Sequence, residues 1–179
     1  LLRLRGLGKL CPMSVEKLRS KFRDLVGQGL YVEAERSLDV WQRQARHAFE
    51  PRLHRVQLQL LQGRYRSARA LAESLVSGPL CPPELATEWV SCLRVFVLHD
   101  GLANWAQAYP LRTQVAAAAL ANIAADLAAT RSYALALEWA ELALEKRPDL
   151  ANCVLNRALI LSYLGRFDEA RVALEGLTQ

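Results

Sequence analysis

Residues 117–179 repeat with a period of 34, and this period constrains the fold more than any other feature of the chain. Four pairs of similar residues lie 34 positions apart: Ala124 with Ala158, Leu127 with Leu161, Tyr133 with Phe167, and Ala136 with Ala170. Within each period the apolar residues follow helical spacing, so each period predicts one helix–turn–helix unit. A helical unit repeated at a fixed period is typical of an α-solenoid and not of one compact bundle.

Turn residues extend the same frame towards the N-terminus. Gly29 and Gly63 are one period apart, Arg131 follows two periods later, and Gly165 lies one further period on. Glycine adopts the left-handed conformation without strain and therefore often ends a helix. One frame thus fits four helix pairs and leaves room for a fifth. The sequence predicts an all-α, right-handed solenoid of about five antiparallel pairs, beginning at Ser14, which is a good helix N-cap.

The patterns divide the chain into four parts. Residues 1–13 are an N-terminal extension without the features of a signal peptide, and we assign them no role. Residues 14–76 hold two degenerate helix pairs, residues 77–116 hold an irregular pair after a proline-rich break, and residues 117–179 hold two regular units. No apolar run reaches the roughly 18 residues that a membrane span needs, so we expect no membrane insertion.

The irregular part carries its own expectations. A helix is predicted from about residue 84 to 98, a turn at Asp100-Gly101, and a short helix over 102–109. Because Val97 stands at the expected turn position and is not a turn residue, the frame is expected to shift here by about four residues. Four large residues of the first of these helices should face inward, namely Leu85, Trp89, Leu93 and Phe96.

The regular units resemble the tetratricopeptide repeat (TPR) family at its signature positions. The first unit carries Leu120, Ile123, Ala124, Leu127, Tyr133, Ala136, Ala140, Ala143 and Pro148, and the second carries Val154, Ala158, Leu161, Gly165, Phe167 and Ala170. The resemblance implies that Ala124 and Ala136 let paired helices approach closely and that Ala143 lets the next unit pack. It also implies that Tyr133 and Phe167 fill the wedge between paired helices and that Asp149 caps the following helix. Residues 14–76 keep the shorter runs G-L-Y-x-E-A and G-R-Y-x-x-A.

The resemblance also implies a function. TPR arrays present a concave groove, lined by the first helix of each pair, to a partner helix or peptide. We therefore expect a non-catalytic protein-interaction adaptor or chaperone. The groove residues would be Ala118, Ala121, Asn122, Ala125 and Ala129 from one unit and Asn152, Leu155, Asn156, Leu159 and Tyr163 from the next.

Two narrower protein-binding roles remain open. Residues 14–110 also resemble the small TPR chaperones of bacterial type III secretion, which hold a secreted subunit in their groove. A TPR subunit of a eukaryotic scaffold or trafficking complex fits the sequence equally well.

Charge is unevenly distributed along the chain. The net charge is +5, with +9 on residues 1–70 and −4 on residues 71–179. A basic half favours an acidic protein partner, and helical-repeat RNA binding is the alternative that we rank below it. The candidate cationic patch consists of Arg43, Arg46, Arg52, Arg55, Arg64, Arg66 and Arg69.

Residues with catalytic or metal-binding potential show no suitable spacing. His47, His54 and His99 form no metal-ligand motif, and a glutamate stripe on one helix is best interpreted as a solvated face. We therefore expect no enzyme activity, cofactor, metal or small-molecule substrate. The four cysteines form no C-x-x-C, which favours reduced thiols and the cytoplasm, with a Cys81–Cys92 disulfide as the alternative.

Overall fold

A computed structural model describes residues 13–96 and 99–176 of the chain, and these residues form ten α-helices and no β-strand. Each pair consists of a first and a second helix, and successive first helices pack side by side from α3 to α9. The predicted all-α solenoid of about five pairs is confirmed. The helices are α1 (Val15–Gly27), α2 (Tyr31–Gln44), α3 (Phe49–Leu61), α4 (Tyr65–Val76), α5 (Ala86–Val95), α6 (His99–Ala108), α7 (Ala117–Ala129), α8 (Tyr133–Lys146), α9 (Ala151–Tyr163) and α10 (Phe167–Glu175).

The repeat frame runs through all five pairs without a shift. The first helices begin at residues 15, 49, 83, 117 and 151, where the third start is a 3₁₀ turn, Pro83–Leu85, that leads into α5. The second helices begin at residues 31, 65, 99, 133 and 167. The expected shift of about four residues is therefore wrong. The third pair departs from the others in length instead, because α6 has 10 residues whereas α8 has 14.

The turns between paired helices share one backbone conformation. Gly29, Gly63 and Gly165 have φ angles of +73°, +71° and +74°, and Arg131 stands at the equivalent position with φ +64°. A left-handed arginine is strained by roughly 1–2 kcal/mol relative to glycine. Arg131 adopts this left-handed conformation because α7 and α8, on either side of it, follow the same repeat as the helices that flank the turn glycines. The equivalent Val97 lies outside the described residues.

The middle pair partly follows the local sequence signals. Leu85, Trp89, Leu93 and Phe96 are buried, as predicted. The turn predicted at residues 100–101 is wrong, because both residues lie within α6. Here the packing of the repeat overrides a local turn signal.

Two expectations from the family resemblance are also wrong. Asp149 does not cap α9, because Leu150 is the N-cap residue and the Asp149 carboxylate accepts two hydrogen bonds of 2.9 Å from Arg147. Phe167 fills no wedge, since 68% of it is exposed and the described chain has no first helix after α10 to cover it. The predicted cap of α1 is confirmed, because the Ser14 hydroxyl accepts a hydrogen bond from the backbone N–H of Lys17.

The buried apolar residues divide into two cores. A large core runs continuously from α3 to α10. A smaller core joins α1 and α2 to one residue of α3, and consists of Leu18, Phe22, Ala34, Leu38, Trp41 and Leu58. His54 of α3 lies against the smaller core with its ring 5.1 Å from that of Phe22 and 5.4 Å from that of Trp41.

Polar side chains connect each first helix to the next. Arg19 of α1 pairs with Glu50 of α3 at 2.5 Å, and Gln57 of α3 donates to Glu88 of α5 at 3.3 Å. Further along, Arg94 of α5 pairs with the buried Asp126 of α7, and α9 donates to a backbone carbonyl of α7. These bonds fix how consecutive first helices lie beside one another. None of the described helices is long and apolar enough to cross a membrane.

Candidate functional site

The predicted groove lies on α7 and α9, which pack side by side. The Asn156 side chain of α9 donates a hydrogen bond of 3.0 Å to the backbone carbonyl of Ala121 in α7. Ala121 is only 1% exposed. It is therefore not accessible, contrary to the prediction, because the next first helix packs on it. Asn156 is half-buried and uses its amide within the chain.

The other predicted groove residues reach the surface. Leu155, Leu159 and Tyr163 on α9 are each about half exposed, at 48%, 51% and 55%. Leu155 stands one repeat after Ala121, at a position where first helices pack on one another, so Leu159 and Tyr163 are the large apolar side chains exposed on the groove side. The remaining exposed members of the predicted set are Ala118, Asn122, Ala125, Ala129 and Asn152.

A cavity of about 260 Å³ lies between the C-terminal ends of α7 and α9. Its wall includes the stacked rings of Tyr133 and Tyr163, whose centroids are 5.1 Å apart. Ala125 and Ala129 provide small side chains on the α7 side, and Leu159 provides the opposite wall. The combination of small and aromatic residues leaves room for an apolar side chain from outside the molecule.

The exposed apolar surface continues onto α5 and α3, which sequence reasoning did not find. Tyr163 and Ala129 stand two residues before their turn positions, and Val95 and Leu61 stand at the equivalent positions of α5 and α3. Val95 is 57% and Leu61 55% exposed. We call these four residues the apolar row. The 34-residue repeat alone places Leu61 and Val95 at these equivalent positions. They were not predicted because a shift of the repeat was expected in the middle pair.

The predicted cationic patch is spread over α2, α3 and α4 and is partly neutralised. Arg55 pairs with Asp39 at 2.5 Å, and two further members pair with carboxylates, Arg64 with Glu35 at 3.4 Å and Arg69 with Glu73 at 2.9 Å. Two others donate to backbone carbonyls, Arg43 to that of Asp39 and Arg52 to that of Arg46. Arg46 and Arg66 are exposed. A cavity of about 470 Å³ opens beside Asp39, Gln42, Arg43 and Arg46.

The histidines considered as ligands lie apart from one another. His47 is exposed, His54 is buried against Phe22 and Trp41, and His99 begins α6. In the described part of the chain, no three histidine, cysteine or acidic side chains cluster in a way that would hold a metal ion.

The glutamates of α8 line a surface depression of about 280 Å³. Glu138 pairs with Arg112 at 3.4 Å, and Glu141 pairs with Arg157 at 3.6 Å. Their side chains are 61% and 46% exposed. Carboxylates in this state are well solvated and paired, which is the arrangement predicted for a charged outer face.

The cysteines within the described residues are free thiols. The alternative of a Cys81–Cys92 disulfide is therefore wrong. Burial, together with nearby glutamates, raises the pKa of Cys81 and of Cys92 to about 12. A thiol that stays protonated at neutral pH is a poor nucleophile. Cys11 lies outside the described residues.

Comparison with known proteins identifies the fold. No family model matches the sequence, and no curated protein matches it. The structure is similar to MamA (residues 41 to the end) from Desulfovibrio magneticus RS-1, with 13% identity over 97% of this chain and 96% of that one and a TM-score of 0.62. A tetratricopeptide repeat protein from Parabacteroides merdae gives 20% identity, coverage of 91% and 65%, and a TM-score of 0.63. YrrB, a TPR protein with an unusual peptide-binding site, gives 13% identity, coverage of 92% and 91%, and a TM-score of 0.60. The chain therefore has the TPR fold.

Proposed function

We propose that this TPR-fold protein is a non-catalytic interaction adaptor or chaperone, acting in the cytoplasm, that binds a helix or peptide of another protein in its groove. The observation that carries the proposal is the exposed apolar surface formed by Leu159 and Tyr163 on α9 beside Ala125 and Ala129 on α7. A contiguous apolar surface on a folded protein commonly marks a protein-interaction site. TPR-fold neighbours that include a peptide-binding protein support the same general role.

The groove has the chemistry that binding of a partner side chain requires. Its wall is apolar apart from Arg131 and Asn156 and holds the stacked rings of Tyr133 and Tyr163, and aromatic residues contribute strongly to protein interfaces. The cavity of about 260 Å³ gives an apolar anchor a place to be buried. Asn122 and Asn152 are exposed at the edge and remain free to satisfy polar groups of the partner.

A single substitution tests the groove. Leu159→Asp places a charge in the centre of the apolar wall, so the partner should bind at least tenfold less tightly, while the helical content measured by circular dichroism stays the same. Val32→Asp on α2 is a matched control, because Val32 is also more than half exposed but lies on a second helix. The affinity-tagged protein is purified from its native cells, and the bound protein is quantified and identified by mass spectrometry. Equal recovery with both variants would contradict the groove assignment.

The same experiment separates the narrower roles. A secreted subunit among the bound proteins supports a chaperone of type III secretion, and a subunit of a larger complex supports a scaffold or trafficking role. Recovery of RNA with a steep salt dependence would favour the cationic patch over the groove. Three arginines of that patch already pair with carboxylates of the chain. Of the two ligands considered for the patch, an acidic protein therefore ranks above RNA.

A further inference from the structure

The α5 part of the groove surface has a charge opposite to that of the molecule. On α3, α5, α7 and α9, including the 3₁₀ turn before α5, the positions equivalent to the ten predicted groove residues carry no lysine or arginine. They carry three carboxylates, Glu50, Glu84 and Glu88. Glu50 is paired with Arg19, whereas neither Glu84 nor Glu88 forms an ion pair with any described residue. A protein of net charge +5 thus has an acidic stretch of groove wall on α5, whereas Arg131 lines the cavity between α7 and α9.

On α5, Glu88 lies about one helix width from Val95 of the apolar row, and Glu84 lies about one helical turn further along. On α5, Glu88 and Val95 are seven residues apart, which corresponds to about 10 Å along the helix axis. The exposed Ser91 lies between them. An α-helix with its side chains is about 10–12 Å across. A helix lying over Ser91 therefore contacts Val95 on one side and Glu88 on the other.

The spacing between repeats also matches a helix. Packed helices lie about 8–10 Å apart, so neighbouring members of the apolar row are separated by about that distance. A helix presents every seventh residue on nearly the same side, with a rise of about 10 Å per seven residues. A straight helix crossing α3, α5, α7 and α9 thus places one apolar residue at each member of the apolar row.

The groove favours a helix over an extended segment. An extended segment leaves its backbone N–H and C=O groups to be satisfied by the groove, whereas a helix satisfies most of them itself. Around the crossing line the walls are mostly apolar, formed by Val95, Ala125, Ala129, Leu159 and Tyr163, and the polar side chains beside them are Ser91, Arg131 and Asn156. Asn156 is already bonded to a backbone carbonyl of α7.

We infer that the partner segment is a cationic amphipathic α-helix that crosses α3 to α9, with an apolar residue at about every seventh position and lysine or arginine beside Glu84 and Glu88. This inference deepens the proposed function and rests on it. The basic surface elsewhere on the protein repels such a helix, so the groove is the surface that selects it.

Three synthetic helical peptides test the inference. Each is long enough to cross all four first helices, with leucine at every seventh position on an alanine background, and lysine, glutamine or glutamate at the flanking positions. Fluorescence anisotropy should show the lysine peptide binding at least ten times more tightly than the glutamate peptide at low salt, with a smaller ratio at high salt. The overall positive charge of the protein alone gives the opposite order.

The double variant Glu84→Gln/Glu88→Gln should reduce that ratio to less than threefold. Glu33→Gln/Glu145→Gln is the matched control, because both glutamates are exposed on second helices, and it should leave the ratio unchanged. Equal binding of the lysine and glutamate peptides, or no effect of the double variant, overturns the cationic partner. Tighter binding of a proline-rich peptide with leucine at every third position overturns the helical partner.

Leu159→Asp distinguishes failure of this inference from failure of the proposed function. If it weakens all three peptides equally and no preference for lysine exists, the groove remains the binding site and only the cationic partner is rejected. If it weakens none of them, the groove is not the site and the proposed function is rejected as well.

Discussion

The third and fourth helix pairs share one frame but fill it with different side chains. The fourth pair has small residues where paired helices approach, namely Ala124, Ala136 and Ala143. The third pair has Val90, Leu102 and Tyr109 at the equivalent positions, and all three are buried. The helices therefore begin at the period of the repeat even where larger residues replace the alanines of the regular units. This fold therefore does not require small residues at these three positions.

The residues that follow α6 account for the shorter second helix of the third pair. Tyr109 directly follows α6 and donates a hydrogen bond of 2.7 Å to the backbone carbonyl of Cys81. Its ring stacks on that of Trp105 with centroids 4.6 Å apart. Pro110 then follows, and a proline disfavours helical conformation in the residue before it. The third pair is therefore held by an aromatic cluster and a bond to the proline-rich segment.

The rate of cysteine labelling tests whether the third pair is packed as firmly as the last pairs. Since their pKa is about 12 against an ordinary value of 9.0, Cys81 and Cys92 should react with iodoacetamide at pH 8 about a thousandfold more slowly in the native protein than in urea. Mass spectrometry of timed samples gives each rate, with the buried Cys153 of α9 as internal reference. Native labelling should rise with pH up to about 12. Fast labelling of Cys81 or Cys92 while Cys153 stays protected would show that the third pair opens locally.

Removal of the Tyr109 ring should strongly destabilise the third pair. Tyr109→Ala deletes a buried ring and its hydrogen bond, so we expect a loss of about 3–5 kcal/mol in the free energy of unfolding by urea. Tyr109→Phe removes only the hydroxyl and should cost about 1 kcal/mol. Tyr65→Ala is the control, because Tyr65 is 62% exposed on α4 and should change stability by less than about 0.5 kcal/mol. Equal effects of Tyr109→Ala and Tyr65→Ala would contradict the cluster.

Transfer of a third-pair residue into the fourth pair should have a smaller effect. Ala136→Leu introduces the residue found at position 102 into the close contact between α7 and α8, and overpacking there should cost about 1–3 kcal/mol. Ala134→Leu, at an exposed position of the same helix, should be nearly neutral. Thermal or urea denaturation measures both. If Ala136→Leu is as neutral as Ala134→Leu, the alanine positions do not distinguish the two pairs.

The sequence predicted the fold from features that depend on one helix at a time. Helical spacing and turn glycines located the helix pairs, and apolar spacing predicted the inward face of α5. The unbroken frame was missed because position 97 carries valine, although the helices on either side keep their starts. Local turn signals could not show this, since packing against neighbouring pairs decides where α6 begins.

The candidate site was predicted less completely, for a related reason. Exposed positions on α9 follow from its own helical pattern, whereas burial of Ala121 depends on how α9 lies on α7. Likewise, the carboxylate partners of Arg55 and Arg64 are set by contacts between different helices. Leu61 and Val95 can be assigned to the site only from the structure, which shows that all first helices share one register.

The division into two cores has a consequence for how the array comes apart. In a linear array each pair is stabilised mainly by its neighbours, so a pair that shares little of its core with the next pair has fewer contacts to lose. The pair α1–α2 has its own small core and shares it with the rest through Leu58 and His54 of α3. It is therefore the natural first cooperative unit to unfold, with early amide exchange in α1 and α2 while the chain from α3 onwards remains protected. Local opening at this end would expose Phe22 and Trp41 and leave the groove on α7 and α9 intact.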